Sequence, residues 1–204
     1  MRQMIVAALM ICSLPLAACG KGGDEALFES FRAGLGALQI VCEADVTSDY
    51  GGETETFTLA CTEAADGFDL AVRAPEMLSG VTASVNADST ELRFDGLVVP
   101  VPERPDGVSP LLALPAMLTA LREGHIDLCW REGDLLAVQL VLEDDLAVRV
   151  LFDGAMLPVS GEVIAENKTA ARCTINQWTP TEREESHEPD DSNLGGDQSQ
   201  HPGA

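Results

Sequence analysis

The chain is poor in positive charge and in aromatic rings, and each shortage closes off a class of function. Only twelve of its 204 residues are lysine or arginine, against thirty-four aspartates and glutamates. Nucleic acid is excluded as a partner, because neutralising phosphates requires basic patches. Charge-driven adsorption to anionic lipid is excluded on the same ground. The rings number six Phe, two Trp and one Tyr. Those with a polar handle, Trp130, Trp178 and Tyr50, lie far apart in the chain, so no stacking platform for sugars or unpaired bases is expected. Histidine is equally scarce: His125 stands alone, and His187 and His201 fall in a polar terminal stretch. There is no G-x-S-x-G turn, no H-E-x-x-H helix and no glycine-rich phosphate loop before a helix. No spacing suits a zinc site or a C-x-x-C redox pair. The acidic run Glu143-Asp144-Asp145 reads as a hairpin turn. Asp190, Asp191, Asn193 and Asp197 lack the ligand rhythm and flanking helices of a calcium loop. No catalytic residue, metal or cofactor is therefore expected, and a non-enzymatic role is.

What is present begins with an address. Arg2 precedes an apolar run at residues 4–14 that is too short to cross a bilayer as a helix and has the length of a signal-peptide core. It ends in Leu16-Ala17-Ala18-Cys19 before Gly20. That motif resembles the lipobox of bacterial lipoproteins, which implies cleavage after residue 18 and acylation of Cys19. Residues 1–18 are then a lipoprotein signal peptide and 19–24 a short lipidated tether. The expected location is the extracytoplasmic side of a cell membrane, with acyl chains as the sole anchor. Two or three chains on one cysteine hold far more firmly than one, since each buried methylene contributes about 0.8 kcal/mol. Without Arg2 the remaining chain carries eleven basic and thirty-four acidic residues, a net charge of −23. Such a surface keeps an exported protein dispersed.

Four cysteines follow Cys19: Cys42, Cys61, Cys129 and Cys173. An even number in an oxidising compartment suggests disulfides, with three connectivities. Gly51-Gly52 lies equidistant from Cys42 and Cys61, so a hairpin turning there sets the two opposite each other, within bridging reach. Cys129 and Cys173 would then pair by elimination, although Cys129 has the parity of the polar residues His125, Asp127 and Arg131. Four buried free thiols are the alternative.

The hydrophobic period sets the architecture. Residues 24–35 form an amphipathic helix, with Leu27, Phe28, Phe31 and Leu35 on one side. From Leu38 the period becomes two. Strict alternation gives strands with one dry and one wet face, as in antiparallel sheets, and short Asp-, Gly- and Asn-bearing turns suit a meander. Residues 98–107 carry three prolines and read as an irregular loop. Ser109-Pro110 then opens a helix whose body is 111–122, Pro115 kinking it or displacing its start, and Gly124 closes it. Alternation resumes from Ile126 to Trp178. Residues 179–204 are polar and acidic, and read as a disordered tail. The expected fold is mainly β (α+β), a curved antiparallel sheet of about ten strands with an N-terminal and a mid-chain helix on its concave face.

A resemblance accompanies this pattern. The segment Glu91-Leu92-Arg93-Phe94-Asp95-Gly96-Leu97 leading to Ser109-Pro110-Leu111 is similar to small bacterial lipoproteins of the LolA/LolB-type lipoprotein-carrier superfamily. So is Phe152-Asp153 followed by Leu157-Pro158. The resemblance covers roughly residues 25–178 and implies an open half-barrel with helices in its mouth. A bent sheet covered by one or two helices leaves a groove suited to acyl chains. Its expected lining is Ile40, Phe57, Leu59, Phe68, Leu70, Phe94, Leu118, Trp130 and Phe152; ordinary core is the alternative for each. The function expected is a membrane-anchored lipoprotein binding a lipid or lipidated partner in that mouth. The rival is a structural lipoprotein that serves another cell-envelope protein as a cofactor.

Overall fold

The computed structural model describes residues 22–50, 53–101, 109–143 and 146–183. The expected signal peptide, Cys19 and most of the expected tail lie outside the described residues. Helix α1 (Gly22–Leu35) is followed by six strands: β1 (Leu38–Tyr50), β2 (Glu53–Ala64), β3 (Gly67–Ala74), β4 (Thr82–Asn86), β5 (Thr90–Phe94) and β6 (Leu97–Pro100). A 3-10 turn at Pro110–Leu112 leads into helix α2 (Ala113–Glu123). Five more strands complete the chain: β7 (His125–Glu132), β8 (Leu135–Glu143), β9 (Leu146–Phe152), β10 (Pro158–Ala165) and β11 (Lys168–Glu182). All eleven belong to one open antiparallel sheet in the order β6-β5-β4-β3-β2-β1-β11-β10-β9-β8-β7.

That order explains the position of α2. Each half of the sheet is a meander, and β1 pairs with β11 at the centre, from Leu38 opposite Glu182 to Ser48 opposite Ala171. The meanders therefore end at opposite edges, β6 and β7, and the chain must cross from one to the other. It crosses over the face where Ile40, Cys42, Ala44 and Val46 of β1 meet Leu136, Val138 and Leu140 of β8 in one apolar core. Helix α2 packs against β8, β9, β10 and β11. Its residues Leu114, Met117, Leu118 and Leu121 are at most 1 % exposed. Burial on this scale contributes roughly 1.5–3 kcal/mol per large side chain. Gly161 of β10 lets α2 come this close, since a Cβ there would lie 2.7 Å from Met117 Sδ.

Helix α1 lies beside α2 and buries Phe28 fully, its ring tilted against those of Phe31 and of Phe152 on β9, with centroids 6.1 and 5.8 Å away. The two helices then exchange arginines. Arg32, in the last turn of α1, donates to the carbonyls of Leu121 and Gly124 at the end of α2, at 3.0 and 2.7 Å. Arg122, in the last turn of α2, donates to the carbonyl of Leu35 at the end of α1 and to that of Leu38 at the start of β1, at 2.8 and 2.7 Å. Helix C-termini leave carbonyls unpaired and carry partial negative charge, so a guanidinium there satisfies both needs. Glu63, 4 % exposed, grips Arg122 in a two-pronged ion pair at 2.7 and 2.5 Å and accepts the Ile40 N–H.

Several expectations shift. The strands number eleven because the proline-rich segment contributes β6, in which Pro100 stands last on an edge strand, where its missing N–H breaks no ladder. The expected start of the mid-chain helix becomes a 3-10 turn. Ser109 makes no side-chain cap there, and Pro115 falls in the first turn of α2, where no backbone donor is needed. Helix α1 begins at Gly22, inside the expected tether, and β11 extends to Glu182, inside the expected tail. A register shift between Ile126 and Leu128 reverses the parity of β7 beyond it. Cys129 therefore joins the core side opposite Val138, and Trp130 turns outward opposite Ala137.

Replacing Glu63 with alanine strands Arg122 without its countercharge, and removing one member of a buried pair costs about 3–5 kcal/mol. A urea unfolding midpoint lowered by a corresponding amount is expected. An unchanged midpoint would show that the arginine exchange does not depend on Glu63.

Candidate functional site: an apolar cleft

The two halves of the sheet are not filled alike. Helix α2 packs on β8 to β11, whereas among the described residues the element that packs against β3 from outside the sheet is the short 3-10 turn at Glu76–Leu78. The result is a cleft of about 650 Å³. Phe57 of β2, Val72 of β3, Leu92 and Phe94 of β5, and Leu97 and Val99 of β6 form its sheet wall. Met77 and Leu78 of the 3-10 turn at Glu76–Leu78, with Val81, close one side; Pro110 and Leu111 of the turn before α2 close the other. A cavity of this size and character suits a small apolar molecule or a chain. Its rim is exposed and hydrophobic: Met77 is 83 % exposed, Leu97 67 % and Val99 53 %.

Among the described lining residues the polar ones are Ser48, Glu55 and Ser109. Ser48 continues the core-facing row of β1, stands opposite Glu55 in the β1–β2 ladder, and is 5 % exposed. Its Oγ has no hydrogen-bond partner. No lysine, arginine or histidine is among the described lining residues.

The structure separates the nine residues expected to line a groove. Phe57 and Phe94 line the cleft. Ile40, Leu59, Leu70, Leu118 and Phe152 are at most 2 % exposed and belong to the packed core. Phe68 is half-buried against that core. Trp130 lies on the convex face, where Arg149 sits 5.5 Å above its ring and Glu132 accepts its Nε1–H. Sequence reasoning missed Leu97 and Val99 because the prolines of residues 98–107 hid a strand. A period of two marks the dry face of each strand, and does not distinguish a filled face from an open one. A shallower cleft of about 370 Å³ lies between Leu27, Phe31 and Leu35 of α1, the turn at Met156 and Leu157, and Trp178 and Pro180 of β11.

The four described cysteines are free thiols. Cys42 and Cys61 stand directly opposite each other in the β1–β2 ladder, as the hairpin reading places them. Burial beside the Cys42 thiol pushes the Cys61 thiol well up, the neighbouring thiol contributing most. Cys173 is pushed up to about 12, chiefly by burial. Cys129, on β7, is raised by partial burial and then by the charges of Asp24 and Glu25. The pairing of Cys129 with Cys173 by elimination is corrected: four strand spacings separate β7 from β11. That is about 19 Å along the sheet, beyond the reach of a disulfide. Among the described residues no group of three His, Cys, Asp or Glu could hold a metal ion. His125 is an exposed residue at the start of edge strand β7.

No protein-family model matches the chain, and no curated protein matches it in sequence. Solved structures do resemble it in fold. An outer membrane lipoprotein-sorting protein domain from Vibrio parahaemolyticus aligns over 82 % of this chain and 95 % of its own, at 11 % identity and a TM-score of 0.43. A LolA-superfamily protein from Nitrosomonas europaea aligns over 78 % and 93 %, at 8 % identity and a TM-score of 0.41. The structure of the CwlD amidase of Clostridioides difficile in complex with the GerS lipoprotein aligns over 78 % and 92 %, at 15 % identity and a TM-score of 0.33. The likeness is one of fold.

Proposed function

We propose that this chain is a lipid-anchored protein of the cell envelope that holds a hydrophobic ligand, a lipid or a lipid-modified partner, in the cleft on the β2–β6 side of its sheet. The observation that supports this reading is the cleft itself: about 650 Å³ of apolar concavity left uncovered beside a fully packed core. Exposed apolar area rimming a concavity of this kind marks a binding site more often than a defect. The lipobox-like Leu16-Ala17-Ala18-Cys19 supplies the anchor in this reading. A cysteine held by two or more acyl chains keeps the cleft near the surface from which lipid is drawn. In that compartment Cys42 and Cys61 close as a disulfide, and Cys129 and Cys173 stay as thiols.

The chain carrying Cys19→Ser, which needs no detergent, tests the cleft by the fluorescence of 1,6-diphenylhexatriene, a hydrocarbon without polar atoms. Binding at micromolar concentration is expected. Leu97→Asp, placed where the side chain is already 67 % exposed, is expected to weaken it by about tenfold or more, the equivalent of 1.4 kcal/mol. Absence of binding by the parent chain would end the cleft reading. Expressed in bacteria, the parent should sediment with membranes and Cys19→Ser should not; equal sedimentation of both would remove the anchor. Peptide mapping without reductant should recover the Cys42 and Cys61 peptides joined and those of Cys129 and Cys173 alkylated. Four alkylated peptides would rule the bridge out.

A further inference from the structure

The one buried polar side chain of the cleft has nothing to bond. Ser48 is 5 % exposed, faces the core side of β1 and lines the cleft, and its Oγ lacks a hydrogen-bond partner. Its neighbours across the ladder are Ala171 of β11 and Glu55 of β2. Alanine offers no side-chain partner, and Glu55 is an exposed residue on the cleft wall. The large majority of buried hydroxyls in folded proteins are bonded, and one left over in an apolar concavity calls for a partner that a ligand atom can supply. Glu55 adds a sign. It is the sole ionisable side chain among the described lining residues, and its carboxylate repels an anionic group brought to Ser48.

Resting on the cleft reading above, we infer that the ligand is a single-chain amphiphile whose polar group is an uncharged hydrogen-bond donor, a hydroxyl or an amide, seated on Ser48 with Glu55 disfavouring carboxylates and phosphates. The alkyl chain lies along Phe57, Leu92 and Leu97. Specificity of this kind comes from the cost of leaving a buried polar atom unpaired when the wrong molecule enters.

The test displaces diphenylhexatriene from the Cys19→Ser chain with decanol and with decanoate at pH 8. Any apolar cleft prefers the alcohol, so the decisive comparison is between variants. Ser48→Ala is expected to weaken decanol about five- to tenfold, the effect of losing one hydrogen bond, while leaving the hydrocarbon probe unaffected. Glu55→Gln is expected to strengthen decanoate several-fold and leave decanol alone. In the absence of ligand, Ser48→Ala should unfold at the same urea concentration as the parent or a higher one, because it removes a buried hydroxyl that nothing satisfies. A lowered midpoint would reveal a structural partner for Ser48 and overturn the inference. So would decanol and probe weakening equally, or neither changing. Failure of the probe to bind the parent chain would remove the cleft reading itself. A parent that binds the probe and shows no Ser48 dependence would remove this inference alone.

Discussion

Two helix ends that trade arginines, with one buried glutamate between them, set the geometry on which the rest of the molecule depends. Arg32 serves the carbonyls that end α2, Arg122 serves those where α1 ends and β1 starts, and Glu63 of β2 supplies the charge that lets Arg122 stay largely buried. An isolated guanidinium would not remain so deep, because removal from water costs several kcal/mol unless it is paired and fully hydrogen-bonded. Here the pairing ties three elements together: the leading helix, the crossing helix and the hairpin of β1 and β2. Gly124 completes the junction. A Cβ at that position would stand 2.7 Å from the Ala120 carbonyl oxygen and 3.0 Å from Leu140 Cβ. A side chain is therefore excluded at the point where the helix hands the chain to β7.

With α2 fixed at that end, its other face decides what is core and what is cleft. It is short, eleven residues, and about 16 Å long at the usual rise. That is enough to cover β8 to β11, and too little to cover the strands on the far side of β1 as well. The concave face of β3 to β6 is left to its own side chains and two 3-10 turns. The apolar rim at Met77, Phe94 and Leu97 follows from a cover that stops short, and needs no loosening of the core.

Sequence alone made the alternation of β1 to β5 and β8 to β11 legible, because a wet face and a dry face leave a period of two in the residues themselves. It also made the opposition of Cys42 and Cys61 legible, since a tight turn at Gly51-Gly52 fixes register locally. Three features were hidden. Strand β6 was masked by prolines that an edge tolerates. The parity of β7 was reversed by a bulge that no residue type announces. The difference between packed and open dry faces was invisible, because Leu59 and Leu92 carry the same local pattern, yet Leu59 is fully buried in the core and Leu92 lines the cleft. The arginine exchange joins residues 59 to 92 positions apart, and no local pattern encodes such pairings. Ser48 is the instructive case: a serine in a row of Ile40, Cys42, Ala44 and Val46 looks like an ordinary small residue until the face it joins is seen to open into a cleft.

The pairing of β1 with β11 joins Leu38 to Glu182, and so governs the order of assembly. Strands β1 to β6 can zip together from neighbouring hairpins as soon as they are made, yet one flank of β1 then has no mate until β11 arrives. Loop closure over such a distance is slow, because chain entropy must be given up before any contact returns it. During that interval the row of free amides and carbonyls on β1, flanked by Ile40 and Val46, is the natural template for a stray strand from another copy. The flank most open to mispairing while the chain is incomplete is therefore the one that the finished sheet holds at its centre.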